Sequence, residues 1–180
     1  MTTERIPPPT WNGSEWLCTL SLRSWREYLP SDGDVECVFL PGAQEPTPVQ
    51  ISTLTAFKSD EVAIRDAVLD AVRAYYDACR PKYVAFARKA PAFMGDPEVS
   101  MPERPDAAMF ARLHLLQRLF LNETVLDGLT YVGLSFHAKW EPEHGLGVLV
   151  HGRRVVEVGG ADTSFLEWNA ENDARRAKQR

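Results

Sequence analysis

Apolar positions along this chain change their spacing twice, and the changes mark out three stretches. In the first, "EWLCTLSLRSW" alternates. Trp16, Cys18, Leu20 and Leu22 share one side, which predicts a strand to about Arg23. Ser24 and Glu27 also fit the S-x-x-E capping pattern, so a short helical turn over "SWREYL" competes with strand continuation. "PSDGD" carries turn chemistry, and "VECVFLPG" reads as the next strand, ended by Pro41 and Gly42. "AQEPTPV" then reads as a loop.

From about Ser59 to Arg80 the spacing becomes helical. Val62, Val68, Leu69, Val72 and Tyr76, with Ile64 and Ala71 nearby, form one apolar stripe. Ser59, Asp60 and Glu61 place a capping oxygen and negative charge at its start. Arg80 before Pro81 predicts a stop, with "KYVAFARKA" as an extension beyond a kink. Prolines at 91, 97, 102 and 105 predict a loop after it.

"DAAMFARL" makes a short helix capped by Asp106, and beyond it the period falls to two. Asp127-Gly128 is a hairpin signal. Val132, Leu134, Phe136, Ala138 and Trp140 then alternate with Tyr131, Gly133, Ser135 and His137, and "GVLVHGRRVVEVGG" folds back about Gly152. The reading is an α+β domain: an antiparallel meander over about 113–160 with one long helix packed on the sheet. It predicts a single domain over 11–170, a Pro-rich arm at 1–10 and a charged, solvated tail at 171–180.

Composition narrows the function classes. The chain has 180 residues, 44% hydrophobic and 25% charged, with a net charge of −5. That balance speaks against nucleic acid as a partner, since phosphate binding needs a basic face. No apolar run approaches the ~20 residues that span a bilayer, and "MTTERIPPPT" lacks the layout of a secretory signal. Cys18, Cys37 and Cys79 show no CxxC spacing and read as buried reduced thiols in a cytoplasmic protein.

The candidate chemistry gathers in "WEPEHGLGVLVHGRRVVEVGGAD". His114, His137, His144 and His151 show no metal-ligand spacing, so the expectation is solvent-facing histidines, no metal and no cofactor. Glu143 beside His144 offers an acid–base pair for a hydrolytic or metal-dependent enzyme. The simpler expectation is that "EPEHGLG" is a turn between adjacent strands, bent by Pro142, Gly145 and Gly147, with Glu143 and His144 bonding freed backbone groups. Gly159, Gly160 and Asp162 likewise read as structural, with Asp162 or Ser164 capping "SFLEW" and Ser164 with Glu167 forming a capping box.

The same stretch resembles the closing signature "GFxFxCxWDxEHGLGVxxHxxRVVxIGGAD" of a bacterial family of uncharacterised proteins. The matching positions are Gly133, Phe136, Trp140, Glu143, His144, Gly145, Leu146, Gly147, Val148, His151, Arg154, Val155, Val156, Gly159, Gly160, Ala161 and Asp162. Upstream, Trp11, Gly13, Gln50, Ala56 and the pair Tyr75-Tyr76 extend the likeness. Ala138 stands where the signature has cysteine and Glu141 where it has aspartate, which weakens a catalytic reading. The resemblance implies a non-catalytic binding protein, with an immunity or accessory role toward a cognate protein toxin.

Overall fold

The computed structural model describes residues 6–30 and 33–179. Part of the expected Pro-rich arm, and Ser31 and Asp32 of the expected turn, lie outside the described residues. Seven strands form one sheet in sequence order: β1 (Thr10–Trp11), β2 (Trp16–Ser21), β3 (Asp34–Phe39), β4 (His114–Leu126), β5 (Leu129–Ala138), β6 (Glu141–His151) and β7 (Arg154–Gly159). The fold is α+β, as the spacing predicts, and β4 to β7 are the antiparallel meander. The N-terminal strands belong to the same sheet, because β3 pairs in parallel with β4. That pairing requires a crossover, which the helical middle of the chain supplies.

The crossover begins earlier than the apolar stripe indicates. Helix α1 (Pro48–Ser59) opens inside the segment read as a loop, where Thr47 and Gln50 make a reciprocal capping box with Pro48 at the first helical position. The Gln50 side chain is buried, and its Nε2 donates to the carbonyls of Leu40 (2.7 Å) and Leu121 (3.0 Å). It thus ties α1 to the seam where β3 meets β4.

Helix α2 (Glu61–Lys89) runs through Pro81 and does not stop at Arg80. An internal proline costs about 3 kcal/mol, and burial of Val84 and Ala87 beyond it offsets that cost. Its core face is Ile64, Val68, Val72 and Tyr76, while Leu69 is half-buried and Val62 is exposed. At its start no side chain caps the helix. Asp60 instead bonds Arg153, and the Glu61 carboxylate accepts from the Ser24 amide (2.6 Å) and hydroxyl (2.7 Å). Ser24 lies in a 3₁₀ turn, Arg23–Tyr28, so helical geometry replaces strand there. Two four-residue helices, α3 (Pro91–Met94) and α4 (Pro97–Ser100), occupy the proline-rich loop, and α5 (Ala107–Leu113) is capped by Asp106.

The main core lies between the sheet and α1, α2 and α5. A smaller one, Leu126, Tyr131, Leu149, Ala170 and Ala174, lies on the opposite face under α6 (Glu167–Ala177). The tail expected at 171–180 is therefore helical through Ala177, held because Ala170 and Ala174 share a buried face. No helix among the described residues is long and apolar enough to cross a membrane.

Candidate functional site

The signature residues divide between the two faces of the sheet. On the α6 side, a 3₁₀ turn over Ala161–Ser164 lies flat against β5 and β6. A Cβ added at Gly133 would sit 1.7 Å from the Ser164 carbonyl oxygen, and one at Gly147 would sit 2.4 Å from that of Gly160. At Gly159 it would meet Thr163 Oγ1 at 2.5 Å. At Gly133 and Gly147 main chain packs on main chain, so these two glycines are needed for closeness of approach, not for flexibility. Ser164 Oγ donates to the Ala161 carbonyl (2.6 Å), and the Asp162 carbonyl accepts from the amides of Phe165 and Leu166. The expected capping box of Ser164 with Glu167 does not form. The Glu167 carboxylate instead holds the amides of Glu123 (3.1 Å) and Thr124 (2.5 Å), where β4 bulges.

Below the main core, His114 is fully buried, against the expectation that all four histidines face solvent. The indole Nε1–H of Trp140 donates to its Nε2 (3.1 Å), so Nε2 carries no proton. Its Nδ1–H then donates to the Phe110 carbonyl (2.9 Å). Both nitrogens are satisfied in the neutral tautomer, and burial pushes the imidazole's pKa down to about 4. Tyr76 and Phe110 close around the ring, with the Arg73 guanidinium 4.2 Å from the Phe110 centroid. Nothing in the period-two pattern distinguishes His114 from His137, which is exposed.

Trp140 occupies the two-residue turn between β5 and β6, so the hairpin reverses before "EPEHG" and not within it. Ala138 pairs with Glu141 and Phe136 with Leu146, which leaves four residues of β6, Pro142 to Gly145, opposite His137 alone. They form a wide bulge whose last member, Gly145, has φ of 64° and would place a Cβ 3.0 Å from the Phe136 carbonyl. The bulge pushes Pro142, Glu143 and His144 into solvent.

His144 bonds a neighbouring carboxylate rather than backbone: its Nδ1 lies 2.8 Å from Glu141 Oε1. That bond raises the imidazole's pKa. Glu143 lines a cleft of about 540 Å³ between the hairpin and α2. Tyr83, Phe86, Met94, Trp140 and Glu141 are among the other walls. Behind it, burial raises the pKa of Tyr75, helped by its neighbours Cys79 and Glu141. Cys79 is half-buried, not buried as expected. Among the described residues, no group of three or more His, Cys, Asp or Glu side chains is placed to hold a metal ion.

The remaining signature side chains are tied to the framework. His151 Nε2 bonds the Leu126 carbonyl (2.9 Å) and its ring stacks obliquely on Tyr131. Arg154 forks onto Asp173 of α6, whose carboxyl pKa is lowered by that contact, and the Tyr131 hydroxyl donates to the same carboxylate. The sequence gives no signal for Asp173, which lies in the segment read as a tail.

No curated protein and no solved structure matches the chain. A family model described as a domain of unknown function does match, over residues 17–166, a span that runs from β2 to the end of the glycine-seated turn. The chain belongs to this family, DUF6985.

Proposed function

We propose that the protein is a non-catalytic binding protein that takes a basic partner on the face formed by α2 and the β5–β6 hairpin. The observation that carries this reading is the cleft itself. It combines exposed aromatic surface, with Phe86 55% exposed, and two carboxylates, Glu141 at the start of β6 and Glu143 held out by the bulge. Aromatic side chains in a concave site are the usual anchors of protein recognition, and carboxylates at the rim steer a basic partner toward it. The net charge of −5 adds long-range attraction of the same sign. The partner class that best joins these features to the family signature is a cognate toxin domain, which makes the protein an immunity protein acting in the cytoplasm.

The test begins with the gene's neighbours. A large secreted protein with a variable C-terminal domain is expected beside it. Coexpression of that domain with this chain should restore growth, and Phe86→Ala should weaken the rescue without unfolding the protein. Absence of such a neighbour, or a neighbouring toxin domain that this chain does not neutralise, overturns the reading.

A further inference from the structure

We propose that the cleft is a cation pocket that seats one lysine or arginine side chain of the partner. This rests on the reading of that face as a protein-binding surface and specifies what it recognises. Three aromatic groups border the cavity, Tyr83 and Phe86 from α2 and Trp140 from the hairpin turn. Ring faces attract alkylammonium and guanidinium groups through their quadrupole, and the long apolar stems of these side chains pack on the same surface.

The carboxylates decide the sign of the ligand. Glu141 and Glu143 line the cavity and Lys139 is the cation that accompanies them, so the lining carries one net negative charge when all three are ionised. An anion would meet two carboxylates, and a wholly apolar ligand would strip them of water without replacing it. Among the described residues Glu143 makes no ion pair within 4.0 Å, whereas Glu141 is shared with His144. A volume of about 540 Å³ falls in the range of ligand sites and accommodates a long side chain together with its flanking backbone.

The same geometry ties the pocket to pH. When His144 is protonated it offsets Glu141, and the lining becomes neutral; when it is neutral both carboxylates are available. The charged groups around His144 are Glu141 at the start of β6, Glu143 on the bulge and Asp162 in the 3₁₀ turn, all acidic, and they hold its titration above the ordinary histidine value. Across the cleft, Tyr75 of α2 approaches Glu141, and burial raises its pKa, so it stays uncharged at neutral pH. Cation affinity should therefore rise as pH is raised through the His144 titration.

The experiment is an amide and indole NMR titration of the whole chain with the N-acetyl methylamides of arginine, lysine and norleucine. The expected result is saturable movement of the Trp140 indole and of the Tyr83 and Phe86 amides with the two cations, and none with norleucine. Affinity should be severalfold tighter at pH 8 than at pH 5.5, and Glu141→Gln with Glu143→Gln should weaken it by about tenfold. The double variant's amide spectrum away from the cleft reports that its fold is intact. No saturable movement, equal movement with norleucine, or undiminished binding by the double variant would overturn the pocket. The outcome also separates this proposal from the one it rests on. Cation binding by a chain that rescues no toxin supports the pocket and removes the immunity role. Full rescue by the double variant overturns the pocket and leaves the immunity role standing.

Discussion

The glycine-seated turn and the β6 bulge are built from neighbouring parts of the C-terminal half of the sheet, yet they place opposite demands on sequence. At Gly133 and Gly147 the sheet meets the main chain of Ala161–Ser164 with no room for a single carbon. At Pro142, Glu143 and His144 the chain leaves the sheet, and three side chains stand in solvent. The first region stores its information as absence of side chains, and the second as side chains presented. Glycine in one strand therefore has two physical meanings. Gly147 permits backbone contact, whereas Gly145 supplies a positive φ that lets the bulge turn.

The largest separation between the two regions is expected from Gly133→Val. The Ser164 carbonyl cannot move aside without lifting the whole turn, so the variant should lose more than about 4 kcal/mol, enough to unfold much of a domain of ordinary stability. Urea denaturation or loss of soluble protein reads this out. A stable Gly133→Val would show that the turn is not seated on the sheet.

His114 gives the next effect, and its sign follows from burial. Its folded pKa of about 4 lies below the ordinary histidine value of 6.5, so between those values the unfolded chain binds more protons. The stabilisation is fully present above pH 6.5 and is lost as pH falls toward 4. The linked change is about 3 kcal/mol, which His114→Gln should largely remove from the pH profile of unfolding. A profile unchanged by that substitution would contradict the neutral, buried imidazole.

Trp140→Phe keeps an aromatic ring but deletes the donor to His114 Nε2. A buried acceptor left without its partner costs about 1–3 kcal/mol. The loss should shrink when combined with His114→Phe, which a double-mutant cycle measures. At the bottom of the scale stands His144→Ala. The side chain is 75% exposed and bonded only to a carboxylate at the surface, so the unfolding midpoint should not move.

What could be read from the sequence follows from how each feature is encoded. The meander was legible because Val132 to Trp140 alternate without interruption, and the α2 core face because Ile64, Val68, Val72 and Tyr76 recur every fourth residue. Periodicity reports which side of an element is buried. It does not report where an element ends when tertiary packing outweighs a local breaker, as at Pro81. Helix α1 was hidden because Pro46, Thr47 and Pro48 look like a loop until Gln50 is counted as the third residue of a capping box. Helix α6 was hidden because its buried face uses only Ala170 and Ala174, too few to form a stripe.

The site was legible in location and not in arrangement. The residues from Trp140 to Asp162 do hold part of the glycine seat and part of the cleft wall. Their partners come from distant segments that no local pattern links to them: His114 for Trp140, Asp173 for Arg154, and Tyr83 and Phe86 across from Glu143. The hairpin turn was placed a few residues late because Pro142 and Gly145 carry stronger turn chemistry than Lys139 and Trp140. The bulge accounts for both residues without a reversal of the chain.

The central claim is that one short stretch of this chain encodes a seat for backbone and, beside it, a presented surface. Urea unfolding of Gly147→Ala next to Glu143→Ala tests it most directly. A methyl at Gly147 would meet the Gly160 carbonyl at 2.4 Å and that of Ala161 at 2.9 Å, so both strand and turn must shift. The account predicts a loss of about 3 kcal/mol for Gly147→Ala and an unfolding curve for Glu143→Ala that overlays the parent. Equal stability of the two variants, or a larger loss for Glu143→Ala, would contradict it.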